Sequence, residues 1–239
     1  MKYLIVVDMQ NDFIDGSLGS AMAQAIVPKV VEKAAHFDGK VIFTRDTHGP
    51  NYLNTQEGRK LPVKHCIQGT PGWQICEELQ PFAANVVDKL SFGSISLPRL
   101  LAQEGTPESI ELCGLCTDIC VISNAMILKS AFPEARVSVD SACCAGVTEE
   151  SHATALNAMR AVQIEVKYEA PPQAKTGLRG RMLAGGGFYF RSLRKNAAVW
   201  ARASCLGTPA RRSLWARARA GAKSLPGAKP AATRSAPWT

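Results

Sequence analysis

The sequence predicts an α/β fold in which a doubly wound, mostly parallel six-stranded sheet carries helices on both faces. Short apolar runs, typical of strands buried on both faces, alternate through the first 170 residues with segments of helical apolar spacing. Several of these runs end at a polar residue capable of chemistry. Strands that alternate with helices pair in parallel, and ligands bind beyond their carboxyl ends. We therefore expect a functional site at that edge of the sheet.

The six predicted strands are short. The first, residues 3–7, is a continuous apolar run that stops at Asp8. The other five are expected at 40–44, 85–88, 109–113, 136–139 and 163–168.

Four of the five connections between these strands contain a predicted helix. The helices are expected at 21–37, 97–103, about 119–130 and 148–161. In the first of them, Ile26, Val30 and Ala34 form one apolar stripe. Thr148 and Ser151 are both candidate N-caps for the last.

Charge divides the chain into two unlike parts. Residues 1–170 contain 14 Lys/Arg and all 20 Asp/Glu, a net charge of −6, whereas residues 171–239 contain the other 14 Lys/Arg and no acid. The overall charge of +8 is therefore an average. From residue 171 onward Arg, Ala, Gly, Ser and Pro dominate, and no periodicity suggests a core. We expect one α/β domain at 1–170 and a disordered basic tail at 171–239.

Composition also excludes several classes of protein. No apolar stretch reaches the roughly 18 residues of a membrane span, and the N-terminus is typical of a strand rather than a signal peptide. Most of the eight cysteines lie inside apolar runs, without the spacing of a small disulfide scaffold. We expect reduced thiols and a cytoplasmic protein.

Three residues with catalytic side chains are predicted to meet at the edge of the sheet: Asp8, Lys89 and Cys120. Thiolate is the reactive form of cysteine, and a lowered pKa of the thiol favours it. Cys120 lies in the predicted first turn of a helix, where backbone amides favour negative charge, and a nearby Lys89 would favour it further. Asp8 could accept the thiol proton and later deliver it to a leaving amine.

Each of these three residues also has an ordinary structural explanation. A cysteine before Val-Ile is commonly a small buried hydrophobic residue, a lysine beside a strand end a solvated charge, and an aspartate after a strand a cap. Their joint placement at strand ends favours a function, but it leaves the reaction open.

A second group combines carboxylates and imidazoles in the segment after the second strand: Asp46, His48, Glu57 and His65. Such side chains suit Zn, Mn, Fe or related divalent ions, so we favour one metal ion over hydrogen bonding within a long loop. The other two histidines, His36 and His152, lie on predicted helices and are expected to be ordinary surface residues.

Three segments together resemble the motifs of one family, the isochorismatase-like cysteine hydrolases. Residues 8–13, DMQNDF, resemble its opening signature, and residues 88–94, DKLSFGS, resemble its lysine motif. Residues 114–121, GLCTDICV, resemble its nucleophile motif. The metal set and the segment 65–70, HCIQGT, are similar to the nicotinamidase branch. The resemblance covers roughly residues 1–168 and implies an isochorismatase-like fold.

The resemblance assigns roles to residues around the nucleophile. It implies that Asp8, Lys89 and Cys120 catalyse hydrolysis of nicotinamide to nicotinate and ammonia through a thioester, a reaction of NAD salvage. It places the oxyanion on the backbone amides of Cys116 and Cys120, with a cis peptide between Leu115 and Cys116. Many relatives have alanine where this chain has Cys116.

Substrate and metal contacts follow from the same resemblance. The pyridine ring is expected against Phe13, Trp73 and Leu115, with its nitrogen at the metal. Some nicotinamidases have a histidine ligand where this loop has Asn54, and others use a glutamate, a role that Glu57 would fill.

Other functions are weighed beside this one. A related hydrolase acting on another small amide or ureide would share the fold and site. A catalytically silent scaffold is disfavoured by the intact Asp8, Lys89 and Cys120. Nucleic-acid binding through the basic, partly aromatic tail is an alternative of another class. Because basic composition alone is weak evidence, we prefer the interpretation that the tail is a read-through or frameshift product. The expected partner is a small amide rather than a membrane or nucleic acid, and relatives include both monomers and homo-oligomers.

Overall fold

The computed structural model describes residues 1–167, which form a six-stranded sheet with every strand parallel to its neighbours. The strand order is β3-β2-β1-β4-β5-β6. The strands are β1 (Lys2–Val7), β2 (Lys40–Asp46), β3 (Val86–Lys89), β4 (Ser109–Leu115), β5 (Arg136–Ala145) and β6 (Glu165–Lys167). The predicted tail, the domain boundary at 170 and the end of the sixth predicted strand lie outside the described residues.

Helices connect the strands on both faces of the sheet, as the sequence predicts. They are α1 (Asn11–Ile14), α2 (Ala21–His36), α3 (Gln56–Lys60), α4 (Leu97–Ala102), α5 (Ile122–Ala131) and α6 (Glu149–Ala161). Helix α2 packs against β1, β4 and β5, whereas α5 and α6 pack against each other and against β5. Within residues 1–167, no helix is both long and apolar enough to cross a membrane.

The centre of the sheet explains why β1 is a continuous apolar run. It lies between β2 and β4, so both of its faces are covered. Leu4, Ile5, Val6 and Val7 are all fully buried. Burial of one such side chain contributes about 1.5–3 kcal/mol, so this strand anchors the core.

The strand order creates a switch point at the carboxyl end of β1. The chain runs outward from β1 to β2 and β3 and then returns to the other side of β1 with β4. Val7, the last residue of β1, pairs with Thr44 on one side and Gly114 on the other. Because successive connections diverge here, a crevice opens beyond these strand ends.

Strand β5 is six residues longer than the predicted strand 136–139. The apolar run in the sequence is interrupted at Asp140, which the periodicity treats as a strand end. In the structure Asp140 is only 3% exposed and its Oδ2 lies 2.6 Å from Lys33 Nζ of α2. The ion pair lets the strand continue through a buried carboxylate, a tertiary effect that local sequence does not encode.

The short helices are the other difference from prediction. Helices α1 and α3 have four and five residues, too few for apolar periodicity to develop. The predicted helix 119–130 instead begins as a π-helical turn over Thr117–Val121 and continues as α5. For α6, Thr148 is the N-cap and Ser151 completes a reciprocal capping box, so both predicted caps take part.

Gly114 brings β4 close to the end of β1. Its φ is +114°, and the pairing of β4 with β5 shifts register between Leu112 and Gly114. A Cβ at this position would collide with the backbone carbonyl oxygen of Val7. Only glycine therefore fits where the chain leaves the sheet toward the predicted nucleophile.

We expect Gly114→Ala to lower the free energy of unfolding by about 3 kcal/mol, because it adds a backbone collision to an unfavourable φ. Gly105→Ala is the matched control, since Gly105 also has a positive φ of 101° but has no atom within 4 Å of the added Cβ. That control should lose about 1 kcal/mol. Urea unfolding curves measure both, and equal losses would contradict the proposed collision.

Candidate active site

A cavity of about 450 Å³ lies beyond the carboxyl ends of β1, β2 and β4. Its walls are mostly apolar and include Phe13, Leu18, Leu61, Phe92, Leu115 and Ile119. Asp46, Glu57, His65 and the thiols of Cys116 and Cys120 also line it. A larger and more open groove of about 1090 Å³ beside α1 and α2 contains none of these polar groups. The smaller cavity is therefore where chemistry can occur.

The structure brings the three predicted catalytic residues together. Lys89 Nζ lies 2.7 Å from Asp8 Oδ2 and 3.5 Å from Cys120 Sγ. All three residues are buried, with 0% exposure for Asp8, 3% for Lys89 and 4% for Cys120. Since lone buried charges are costly, the ion pair and the thiol form one interdependent unit.

Strand ends position Asp8 and Lys89. Asp8 directly follows β1 with a φ of +47°, and its Oδ1 accepts a hydrogen bond of 2.7 Å from the hydroxyl of Thr44. Lys89 is the last residue of β3 and pairs in register with Asp46 of β2. The β2 strand therefore lies between these two residues and fixes the distance between them.

The pKa directions follow from burial and from these contacts. Burial raises the pKa of Asp8, and the neighbouring Lys89 opposes this. Burial by itself would lower the pKa of Lys89, but Asp8, Cys120 and Asp46 together raise it. Lys89 is thus held as the cation of the site.

The thiol of Cys120 differs from expectation. Burial, and then Asp8, raise the pKa of this thiol well above its usual value, and the opposing effect of Lys89 is smaller. The sequence-based expectation of a lowered pKa is wrong for the resting site, because it counted the helix amides and the lysine but not desolvation. A proton acceptor beside the thiol is therefore required for reactivity.

The nucleophile lies in an irregular turn between β4 and α5. The peptide bond between Leu115 and Cys116 is cis, which confirms the prediction. The amide of Val121 donates to the carbonyl of Cys116 at 3.0 Å, the five-residue spacing of a π-helical turn. Such turns are frequent at functional sites.

Asn124 ties this turn to the loop after β3, a role that the sequence did not reveal. It is fully buried, and its Nδ2 donates to the carbonyl oxygens of Cys120 at 2.8 Å and Phe92 at 3.1 Å. Its Oδ1 accepts from the amide of Ser94 at 2.9 Å. The available signal was a polar residue among the apolar residues of α5.

The four predicted metal ligands also converge. One donor atom from each of Asp46, His48, Glu57 and His65 lies within 4.8 Å of the other three. His48 Nε2 lies 3.0 Å from Asp46 Oδ2 and 3.6 Å from Glu57 Oε1. His65 Nε2 lies 3.7 Å from each of the same two oxygens.

These residues fit a divalent ion. His48 Nε2 is buried and makes no well-oriented hydrogen bond, although Asp46 Oδ2 lies 3.0 Å away, an arrangement expected of two atoms that bind one metal ion together. The other nitrogen of His65, Nδ1, contacts the carbonyl of Val63 at 2.9 Å, which turns Nε2 toward the carboxylates. Two imidazoles and two carboxylates suit Zn, Mn or Fe.

Two residues of the N-terminal motif 8–13 hydrogen-bond the backbone near the metal group. Gln10 is fully buried and binds the backbone of Asp46 twice, accepting from its amide at 2.7 Å and donating to its carbonyl at 2.9 Å. Asp12 Oδ2 accepts from the amide of Cys66 at 2.7 Å and so holds the loop that carries His65. Asp46 itself lies 3.2 Å from Lys89 Nζ, which joins the metal group to the catalytic residues.

Of the three residues predicted to contact the substrate, two line the cavity and one does not. Phe13 and Leu115 line the cavity, as expected. Trp73 does not line it: its indole donates to the hydroxyl of Thr47 at 2.8 Å, and the guanidinium of Arg45 lies 3.4 Å from its ring centre. This cation–π contact holds Trp73 in a supporting position instead.

Comparison with known proteins finds relatives in both sequence and structure. The nicotinamidase/pyrazinamidase of Mycobacterium tuberculosis is 29% identical over 187 residues, which cover 70% of this chain and 98% of that protein. The crystal structure of the pyrazinamidase of Pyrococcus horikoshii in complex with zinc superposes with a TM-score of 0.62 at 28% identity, covering 69% of this chain and 97% of that one. The nicotinamidase/pyrazinamidase structure from Bacillus subtilis has the same TM-score at 26% identity, covering 69% and 98%.

The family profile gives the broader assignment. The isochorismatase domain matches residues 2–167, the whole span of the described sheet and site. The chain therefore belongs to the isochorismatase family of hydrolases.

Proposed function

We propose that this protein is an amidohydrolase that converts nicotinamide to nicotinate and ammonia through a thioester on Cys120, as a step of NAD salvage. The observation that carries the proposal is the meeting of two groups at one apolar cavity: the buried trio of Asp8, Lys89 and Cys120, and a set of four metal-binding side chains. The relatives named as nicotinamidases and pyrazinamidases support the choice of a ring amide.

The first step transfers the proton of Cys120 to Asp8. The raised pKa of Asp8 suits it as an acceptor, and Lys89, 3.5 Å from Sγ, stabilises the thiolate that remains. The transfer leaves the net charge of the buried trio unchanged, so a site with little water can accommodate it. The thiolate then attacks the carboxamide carbon.

The oxyanion that develops on the carboxamide oxygen needs hydrogen-bond donors close to the nucleophile. We assign this role to the backbone amides of Cys116 and Cys120, two residues that line the cavity at the start and centre of the irregular turn. Removal of one such donor typically costs about 3 kcal/mol of transition-state stabilisation.

Asp8 completes the cycle. Protonated Asp8 gives its proton to the departing nitrogen as the carbon–nitrogen bond breaks, which releases ammonia and leaves the acyl group on sulfur. Asp8 then takes a proton from a water molecule that attacks the thioester. It returns this proton to sulfur as the carbon–sulfur bond breaks, so the Cys120 thiol re-forms and nicotinic acid leaves, ionising to nicotinate in solution.

Substrate orientation is assigned to the walls and the polar end of the cavity. Phe13 and Leu115 would contact the ring. A divalent ion held by Asp46, His48, Glu57 and His65 would offer a Lewis-acid contact for the pyridine nitrogen. Burial raises the pKa of Asp46, but His48 and Lys89 lower it by more, so this carboxylate is ionised and ready to act as a ligand.

The proposal includes a cytoplasmic place of action. The seven cysteines in the described part of the chain are all free, as expected where thiols are kept reduced. Pyrazinamide differs from nicotinamide by one ring nitrogen, so the same site should hydrolyse it.

We expect Cys120→Ala to reduce ammonia release from nicotinamide by more than about a thousandfold, because the nucleophile is lost. Cys143→Ala is the matched control: it also removes a buried thiol, but Cys143 does not line the cavity. Both variants should keep the circular dichroism spectrum of the wild type. Activity near the wild-type level in Cys120→Ala would exclude the mechanism.

Metal removal should act mainly on binding and orientation of the substrate. We expect dialysis against a chelator, or Glu57→Gln, to raise KM for nicotinamide by about tenfold or more and to lower bound Zn, Mn or Fe measured by elemental analysis. Benzamide is the matched substrate: it lacks the ring nitrogen, so we expect it to be hydrolysed more slowly and its rate to change little on metal removal. Unchanged nicotinamide turnover after metal removal would show that the metal role is wrong.

The proposed domain boundary makes a separate prediction. Because the cavity, the trio and the metal group all lie within residues 8–147, deletion of 171–239 should leave kcat/KM for nicotinamide within about threefold of the full chain. Ammonia release by the two proteins measures this. A folded truncated protein without activity would mean that residues 171–239 contribute to catalysis.

A further inference from the structure

We propose that His152 is a positioning residue for the nucleophile. Its ring holds Thr117, three residues before Cys120, and thereby fixes the turn that carries the thiol. The inference rests on the proposed function where it is tested by kcat for nicotinamide, but not where it is tested by the rate of Cys120 alkylation. It also revises the sequence-based expectation that His152 is an ordinary surface residue.

The contact joins α6 to the nucleophile turn. His152 Nδ1 and the hydroxyl of Thr117 are 2.8 Å apart. Thr117 is fully buried, so its hydroxyl cannot exchange this partner for water. Loss of the ring would leave a buried hydroxyl with an unmet hydrogen bond directly beside Cys116.

A second hydrogen bond joins the start of α6 to the same turn; together with the His152–Thr117 contact we call it the brace. The amide of Val147, which precedes the N-cap of α6, donates to Asp118 Oδ1 at 3.1 Å. Thr117 and Asp118 are consecutive, so the segment 147–152 contacts the turn at two neighbouring residues. A rigid-body shift of the turn would break both hydrogen bonds.

Close packing leaves His152 little freedom. A Cβ added to Gly146 would lie 2.8 Å from the Cβ of His152, so the backbone at Gly146 passes directly beside this histidine. Gly146 and Val147 also line the cavity, together with Cys116 and Cys120. The same short segment therefore forms a wall of the cavity and holds the turn that aims the thiol.

The helix itself does not need His152. The capping box of α6 is formed by Thr148 and Ser151, and the buried residues of its apolar face are Ala155, Leu156 and Met159. A substitution at His152 should thus leave α6 folded while it releases Thr117. Because Lys89 Nζ is already 3.5 Å from Sγ, a small displacement of the turn weakens the contact that stabilises the thiolate.

The test compares variants that keep or lose one polar atom. In the full-length protein, His152→Ala and Thr117→Val should each lower kcat for nicotinamide about tenfold or more, with KM changed less than kcat. His152→Asn places a polar atom near the position of Nδ1 and should retain kcat within about threefold, as should Thr117→Ser. His36→Ala is the control for removal of a histidine, since His36 lies at the end of α2, outside the cavity, and its Nδ1 contacts the carbonyl of Glu32 in its own helix.

Two further measurements distinguish positioning from general damage. The double variant His152→Ala/Thr117→Val should lower kcat no more than the more affected single variant, because both changes remove the same hydrogen bond. The rate of Cys120 alkylation by iodoacetamide, followed by mass spectrometry of its peptide, should fall about threefold or more in His152→Ala and stay unchanged in His36→Ala.

The alkylation rate separates this inference from the proposed function, since it requires no amide substrate. Slower alkylation in His152→Ala supports the brace even if nicotinamide is not hydrolysed by the wild type. Additive losses in the double variant, equal losses in the Ala and Asn variants, or unchanged alkylation would each overturn the inference.

Discussion

Burial of Lys89 removes an ammonium group from water, and in a low-dielectric interior such a group persists as a charge only beside anions. Asp8 at 2.7 Å and Asp46 at 3.2 Å supply those anions, and each comes from the end of a different strand. The relation is mutual, because the same lysine offsets the desolvation of both carboxylates. The catalytic residues and the metal group therefore form a single charge cluster, and the rest of the site is arranged around it.

The parallel sheet is what brings these charges together. Asp8 follows β1, while Asp46 and Lys89 are the last residues of β2 and β3, so three adjacent strands deliver them to one edge. Neighbouring strands also supply hydrogen bonds: the hydroxyl of Thr44 in β2 donates to Asp8, and the side chain of Gln10, just after β1, makes two hydrogen bonds to the backbone of Asp46. Because main-chain pairing sets the spacing, the distances within the cluster depend on the core of the sheet rather than on mobile loops.

Much of this arrangement was predictable because short stretches of sequence determine it. Apolar runs located the strands, and polar residues at their ends located Asp8, Asp46 and Lys89. The carboxylates and imidazoles in the segment after β2 located the rest of the metal group. What was missed depends on tertiary contacts: Asp140 continues β5 only because Lys33 reaches it, and His152 looked like a surface residue because Thr117 is far from it in sequence. Trp73 was assigned to the substrate by resemblance, a prediction that stays open: the structure places its ring against Arg45 and Thr47, contacts that the sequence did not reveal.

Desolvation of Cys120 gives the site a property that neither the motif nor the helix amides suggested. A free thiolate at rest would react with oxidants and electrophiles, whereas a buried thiol with a raised pKa is inert until its proton has a destination. Asp8 is that destination, and because the proton stays within the trio, its net charge is unchanged while Lys89 remains the cation beside the new thiolate. The reactivity of Cys120 therefore depends on the geometry of its turn relative to two fixed charges. This is why residues that only hold the turn, Asn124 from α5 and His152 from α6, belong to the working parts of the site.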